Sequence, residues 1–97
     1  MKNDLLQIIQ HYGVNHQQRK FNEEVFELQE AILEYERDEN KFYPEVDKVL
    51  KEHIAEELAD CLVLLKQFQV YYDISAEQIK EGMKFKTKRQ LERMKNE

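Results

Sequence analysis

Chain breakers are nearly absent from this sequence, with two glycines and one proline in 97 residues. A chain so poor in turn formers, yet 36% charged, has little means of making short strands joined by tight turns. It reads instead as a few long helices with little loop. The breakers that do occur fall where helices should stop or start. Gly13 is placed to end a first helix over about Asn3–Tyr12, since glycine adopts a left-handed cap without strain. Asn15, with Gln18 three residues on, has capping-box spacing and predicts a second helix from about His16 to Arg37. The polar run Asp38–Tyr43 breaks the chain, and Pro44 suits the first turn of a third helix reaching about Tyr72. Ser75 and Gln78 repeat the capping spacing before a fourth helix, about Ala76 to Met94. No strand-like alternation lasts more than a few residues, and no repeat or linker is present. The expected fold is all-α: one domain over residues 1–97, a four-helix, bundle-like subunit.

The greasiest segment of the chain carries an anomaly. His53–Leu65 reads HIAEELADCLVLL, and Glu57 and Asp60 stand inside it. Buried carboxylates are costly, so two of them in an apolar helix need a reason. A second pair, Glu24 and Glu27, lies in Glu23–Ile32, EEVFELQEAI. At about 100° per residue, Phe21, Val25, Leu28, Ile32 and Tyr35 form one apolar stripe of helix 2, and Glu24 and Glu27 lie on its flank. Glu23, Glu30 and Glu34 fall further round and read as solvated. In helix 3 the stripe is Leu50, Ile54, Leu58, Cys61, Leu65, Phe68 and Tyr72, and Glu57 and Asp60 sit at the matching offsets. The far side, with Leu62, Val63 and Val70, is apolar too, so helix 3 should be covered on several sides. The two acidic pairs can then face one another across a helix pair.

Composition narrows what such a site can serve. The formal net charge is −5, which argues against a nucleic-acid polymer as partner. An anionic small substrate remains compatible if cations stand between it and the carboxylates. The single cysteine, Cys61, makes no internal disulfide and reads as a small core hydrophobe. With no secretory pattern and no apolar run near the ~18 residues of a membrane span, the expectation is a cytoplasmic chain without a membrane partner.

Four clustered carboxylates repel one another unless a cation neutralises them. All-oxygen ligands select hard cations, Mg²⁺ or Mn²⁺ before Zn²⁺ or copper. A bundle di-iron site would need Glu-x-x-His pairs, whereas Glu27 follows Glu24 and Asp60 follows Glu57 at that spacing. Such charges can also be plain surface residues paired with lysine. His53, one turn before Glu57, is either a partner of that carboxylate or a solvated histidine, and His11 and His16 read as solvated. Phe21, Phe26, Tyr35, Phe68, Tyr71 and Tyr72 are most simply core, though one or two can stack on a base. Lys84, Lys86, Lys88 and Arg89 form a basic cluster that is either a solvated face or a phosphate clamp.

With these residues in view, the chain resembles the MazG-like family of all-α nucleoside triphosphate pyrophosphohydrolases. The family motif, EExxE followed after a spacer by ExxD, is matched by Glu23, Glu24 and Glu27 and by Glu57 and Asp60. A lead-in Q-x-x-K-x-x-E-E is matched by Gln17, Lys20, Glu23 and Glu24, and the resemblance spans roughly Gln17 to Arg89. It implies Glu24, Glu27, Glu57 and Asp60 as Mg²⁺ ligands, with Mn²⁺ as an alternative. It implies cleavage between the α- and β-phosphates to a nucleoside monophosphate and pyrophosphate, with Glu23 or Glu27 positioning the attacking water as base. Lys20, Lys84, Lys88 and Arg89 become substrate contacts, and the subunit is expected in a homodimer or homotetramer. Two features depart from the pattern. The 29 residues between Glu27 and Glu57 lie at the long end of the spacer, and Lys88 stands where relatives carry asparagine four residues after a lysine, here Lys84. A helical oligomer that binds nucleotide or protein without catalysis is the competing function, and a structural adaptor with salt-bridged carboxylates is a third.

Overall fold

A computed structural model describes the whole chain, Met1 to Glu97. It is all-α, with α1 (Lys2–Tyr12), α2 (Val14–Arg37), α3 (Pro44–Tyr71) and α4 (Ala76–Lys95) in order. No helix is long and apolar enough to cross a membrane. Pro44 opens α3 with Glu45 and Asp47 in the first turn, where carboxylates favour the positive end of the helix dipole. The capping box at α4 is formed in full: Gln78 N–H donates to Ser75 Oγ at 3.1 Å, and Ser75 N–H donates to Gln78 Oε1 at 3.0 Å.

The first junction differs from expectation. α2 begins at Val14, and Asn15 lies within its first turn without making a cap bond. Gly13, at φ 90°, does both jobs: its N–H closes α1 on the Ile9 carbonyl at 2.8 Å and its carbonyl accepts from Gln17 N–H at 3.1 Å. A residue free to take positive φ lets one helix turn directly into the next, so the sequence needs no polar cap there.

Three helices pack together. α2 and α3 pair along their length, and α1 lies against both, mainly α3, with Leu5 buried and Ile9 fully enclosed. The α2–α3 seam also differs from the stripes read by 100° periodicity. On α2 it is Gln17, Phe21, Glu24, Leu28, Ala31 and Tyr35; on α3 it is Leu50, Ile54, Glu57, Cys61, Leu64 and Gln67, all buried or half-buried. These positions step by alternating threes and fours, the spacing that keeps one helix facing another over many turns. The contact is centred one position to the Glu24 and Glu57 side of those stripes, so Ile32, Leu58, Leu65 and Tyr72 are instead exposed. Glu24 and Glu57 therefore stand within the seam, not on its flank. Phe21 and Phe68 meet edge to face across it, ring centres 6.0 Å apart. One turn before Phe21, the buried Gln17 donates through Nε2 to the buried Gln67 Oε1 at 2.8 Å. His16 Nδ1 lies 2.7 Å from Gln17 Oε1 and closes that polar layer.

The fourth helix does not join the bundle. After α3 the chain turns through Asp73 at φ 54°, a conformation that a short polar side chain tolerates. α4 then leaves without packing on α1 or α2, and none of its residues is buried. The radius of gyration is 17.0 Å, against about 12–13 Å for a compact chain of this length. The helix 3 surface expected to be covered on several sides, including Leu58, Leu62 and Leu65, is accordingly open within one chain.

The far end of the α2–α3 pair is tied by a polar trio. Tyr35 O–H donates to Asp47 Oδ1 at 2.6 Å, and Lys51 Nζ lies 3.0 Å from Asp47 Oδ2. The Tyr35 bond, then Lys51, holds the Asp47 carboxyl below its ordinary value, while the bond to Asp47 holds both Tyr35 and Lys51 above theirs. A lowered carboxyl contributes stability above its unfolded pKa and loses it as pH falls through the folded one; raised groups lose theirs as pH climbs through their folded values. Tyr35→Phe should therefore lower the thermal midpoint at neutral pH, with a deficit that narrows as the solution is acidified below pH 3.8, the ordinary Asp47 value. Melting curves across that range check this, and a deficit that widens in acid would contradict it.

Candidate metal centre

An acidic cluster interrupts the apolar seam. Glu24 from α2 and Glu57 and Asp60 from α3 each present one oxygen such that the three lie within 4.8 Å of one another. Helix geometry explains the meeting, because Glu24 and Glu57 occupy equivalent seam positions and Asp60 is one turn further along α3. Glu24 is buried at 7% exposure, Glu57 is half-buried and Asp60 faces solvent. The oxygens Glu24 Oε2 and Glu57 Oε2 are both buried with no hydrogen-bond partner. Buried carboxylate oxygens are almost always partnered, so two orphans on facing helices are an unanswered charge that a cation could neutralise.

The electrostatics agree. Burial pushes the Glu24 carboxyl above its ordinary value; the hydrogen bond from Lys20 opposes this, and repulsion from Glu27 and Asp60 adds to it. Cys61, buried directly behind the cluster, has its thiol raised by burial first and then by the surrounding carboxylates. Its role as a small apolar seam residue stands.

The other residues singled out in the sequence fall in three places. Glu27 is outside the three-oxygen group; it lines an adjoining open groove of about 660 Å³ with Phe26, Glu30, Leu33, His53 and Glu57. Glu23 is exposed on the outer face of α2, one turn before Glu27 and 3.8 Å from Lys20 Nζ. Lys20 lies 3.3 Å from Glu24 Oε1, so its nearest partner is a cluster carboxylate. Lys84, Lys88 and Arg89 are on α4 and are not brought to the carboxylates within one chain. Lys84 pairs with Glu81 at 3.9 Å, and Arg89 lies over the Phe85 ring at 5.7 Å.

Of the two alternatives for His53, the structure has the partner of Glu57, Nε2 lying 3.6 Å from Glu57 Oε1. Two contacts have no counterpart in the sequence expectations, the first being His53 Nδ1 at 3.4 Å from Glu34 Oε2 across the helix pair. The Gln17–Gln67 pair was the other, and its signal was present: Gln17 is one heptad before Glu24, hence in the same seam row. Comparison with protein-family models, with curated proteins and with solved structures returned no match.

Because the neighbours of the cluster, Lys20 and His53, are themselves about half exposed, removing a cluster charge leaves no buried cation stranded. In metal-free protein, Glu57→Gln and Asp60→Asn should unfold at or above the wild-type denaturant midpoint, by about 1 kcal/mol for relief of like-charge repulsion at this spacing. A loss of roughly 3–5 kcal/mol in both would instead mark them as structural ion-pair partners.

Proposed function

We propose that this chain is a Mg²⁺-dependent nucleoside triphosphate pyrophosphohydrolase of the MazG-like all-α type, converting a (deoxy)nucleoside triphosphate to its monophosphate and pyrophosphate. The observation that carries the reading is the pair of buried, unpartnered oxygens on Glu24 and Glu57 beside Asp60. The donor set is all oxygen and suits a hard divalent cation, Mg²⁺ or Mn²⁺, with Glu24, Glu57 and Asp60 as its holders. Bound there, such an ion supplies charge neutralisation for a polyphosphate that the acidic chain would otherwise repel. Glu27, on the groove beside Glu57, is placed to take the proton from the attacking water as oxygen bonds to the α-phosphorus and the bond to the β-phosphate oxygen breaks. Glu23, facing solvent beside Lys20, is the weaker candidate for that role. Phe26, exposed at the rim of the same groove, offers a ring face to a nucleobase.

The proposed assembly is a homo-oligomer. Only six apolar side chains are buried in the chain, a core too small to hold 97 residues without further cover. Between α3 and α4 runs a groove of about 690 Å³ with Ile79, Met83 and Leu91 on its floor and Lys66, Lys80, Lys84 and Lys88 at its edges. The outer face of α2 is its complement: Phe26 and Leu33 exposed among Glu23, Glu27, Glu30 and Glu34. A second copy seated this way brings Lys84 and Lys88 towards the acidic groove, adding to Arg37, which lines it within one chain.

Purified protein should release pyrophosphate from at least one common NTP or dNTP with Mg²⁺ and none with EDTA, and Glu57→Gln and Asp60→Asn should fall to background while staying folded. The thermal midpoint should rise with millimolar Mg²⁺ or Mn²⁺, because the ion binds only the folded form. Metal and nucleotide binding without pyrophosphate release would favour a non-catalytic binding oligomer, for which the distance of α4 from the carboxylates speaks.

Sedimentation should find a dimer or tetramer at tens of micromolar. Lys84→Glu with Lys88→Glu should shift it towards monomer, and adding Glu30→Lys should restore assembly. A compact wild-type monomer would sink the proposed interface.

A further inference from the structure

The two seam glutamates are held in the same way. Glu24 Oε1 lies 3.3 Å from Lys20 Nζ, and Glu57 Oε1 lies 3.6 Å from His53 Nε2. Lys20 and His53 each stand four residues before their glutamate on the same helix, one turn away, with side chains 49% and 45% exposed. Each is steadied in turn by a second carboxylate, Glu23 at 3.8 Å from Lys20 and Glu34 at 3.4 Å from His53. In both glutamates the remaining oxygen, Oε2, is the one that is buried and unpartnered.

A glutamate's terminal torsion is soft, so a free carboxylate presents either oxygen, or neither, to an incoming ion. Tying Oε1 at the rim removes that freedom and commits Oε2 to the interior. Resting on the metal reading above, we infer that Lys20 and His53 are positioning residues of the centre, each holding the outer oxygen of a glutamate so that two inner oxygens from two helices are offered together to one divalent cation. This gives Lys20 a task different from direct contact with substrate phosphate. Its ammonium is engaged by Glu24 and flanked by Glu23, and both are on its own helix. The repulsion between Lys20 and a bound cation is screened by solvent at a half-exposed side chain, whereas the orientation it imposes acts on a buried oxygen.

The sign of one measurement separates this from its alternatives. Mn²⁺ binding to the full chain, without nucleotide, is read by titration calorimetry or by loss of the free-ion paramagnetic resonance signal. Lys20→Met should weaken Mn²⁺ by about 10–100-fold, the range for removing a group that orients a metal ligand, and Lys20→Arg should recover most of it. His53→Leu should weaken it comparably, and His53→Gln, whose amide can donate to Glu57, should recover part. Both positions are at the rim, and circular dichroism melts establish that the variants are folded. Unchanged or tighter Mn²⁺ binding in Lys20→Met would overturn the inference, making Lys20 a surface ion pair or a resident competitor for the site. Wild type that binds no Mn²⁺ would overturn the metal centre, and this inference with it; weakened binding in the variants alone bears on positioning only.

Discussion

Along the contact between α2 and α3, side chains meet at alternating intervals of three and four, and at one level of that contact two glutamates occupy places where apolar residues would pack. The rest of the molecule depends on how that level is reconciled. Removing a carboxylate from water costs several kcal/mol, and here the cost is only partly offset: each glutamate has one oxygen facing a basic side chain at the rim and one left without a partner inside. A structure selected for stability alone would place leucine there. On the function proposed above, the missing partner is a cation from solution, and the helix pair is the rigid frame that holds its ligand oxygens at fixed separation.

The same seam carries a second polar layer, the Gln17–Gln67 pair with His16 behind it. Unlike the carboxylates, these amides satisfy one another. A buried, self-satisfied polar pair contributes little net stability but penalises any slip of one helix along the other, since a shifted register would leave both amides unpaired. Register matters more than usual in this chain, because a slip of one turn would part Glu24 from Glu57. Phe21 and Phe68 between the two polar layers, and the Tyr35–Asp47–Lys51 trio at the far end, fasten the remainder of the pair. The acidic cluster is thus bracketed by contacts that each specify the same alignment.

α4 obeys a different logic. It has a complete capping box and good helix formers, yet it diverges from the three packed helices, leaving an open groove against α3, and buries none of its own residues. Local signals suffice to start a helix, but most helical stability in proteins comes from packing an amphipathic face, which α4 lacks within one chain. An apolar groove edged by lysines on one surface and an apolar strip set among glutamates on another are complementary in kind. In the proposed assembly these basic and acidic surfaces are matched faces.

Much of this was legible in the residues. The scarcity of glycine and proline determined the helical class, and Pro44 and the Ser75–Gln78 box placed two helix starts to the residue, because those signals act through local backbone chemistry. The meeting of Glu24 with Glu57 and Asp60 was also readable, since carboxylates embedded in an apolar helix are too costly to bury unless something across the contact answers their charge. Three things were decided only by tertiary structure. A glycine at positive φ replaced the asparagine cap at Asn15, because the angle between α1 and α2 is set by their packing. Glu27 was left outside the three-oxygen group, because the helices pack on the flank that holds Glu24 and Glu57 rather than the one that holds Val25, Leu58 and Leu65, a choice of side that only the partner helix makes. The clasp of Lys20 and His53 on the outer oxygens was out of reach altogether, since which oxygen of a carboxylate is buried depends on the neighbouring helix and on no property of the sequence around it.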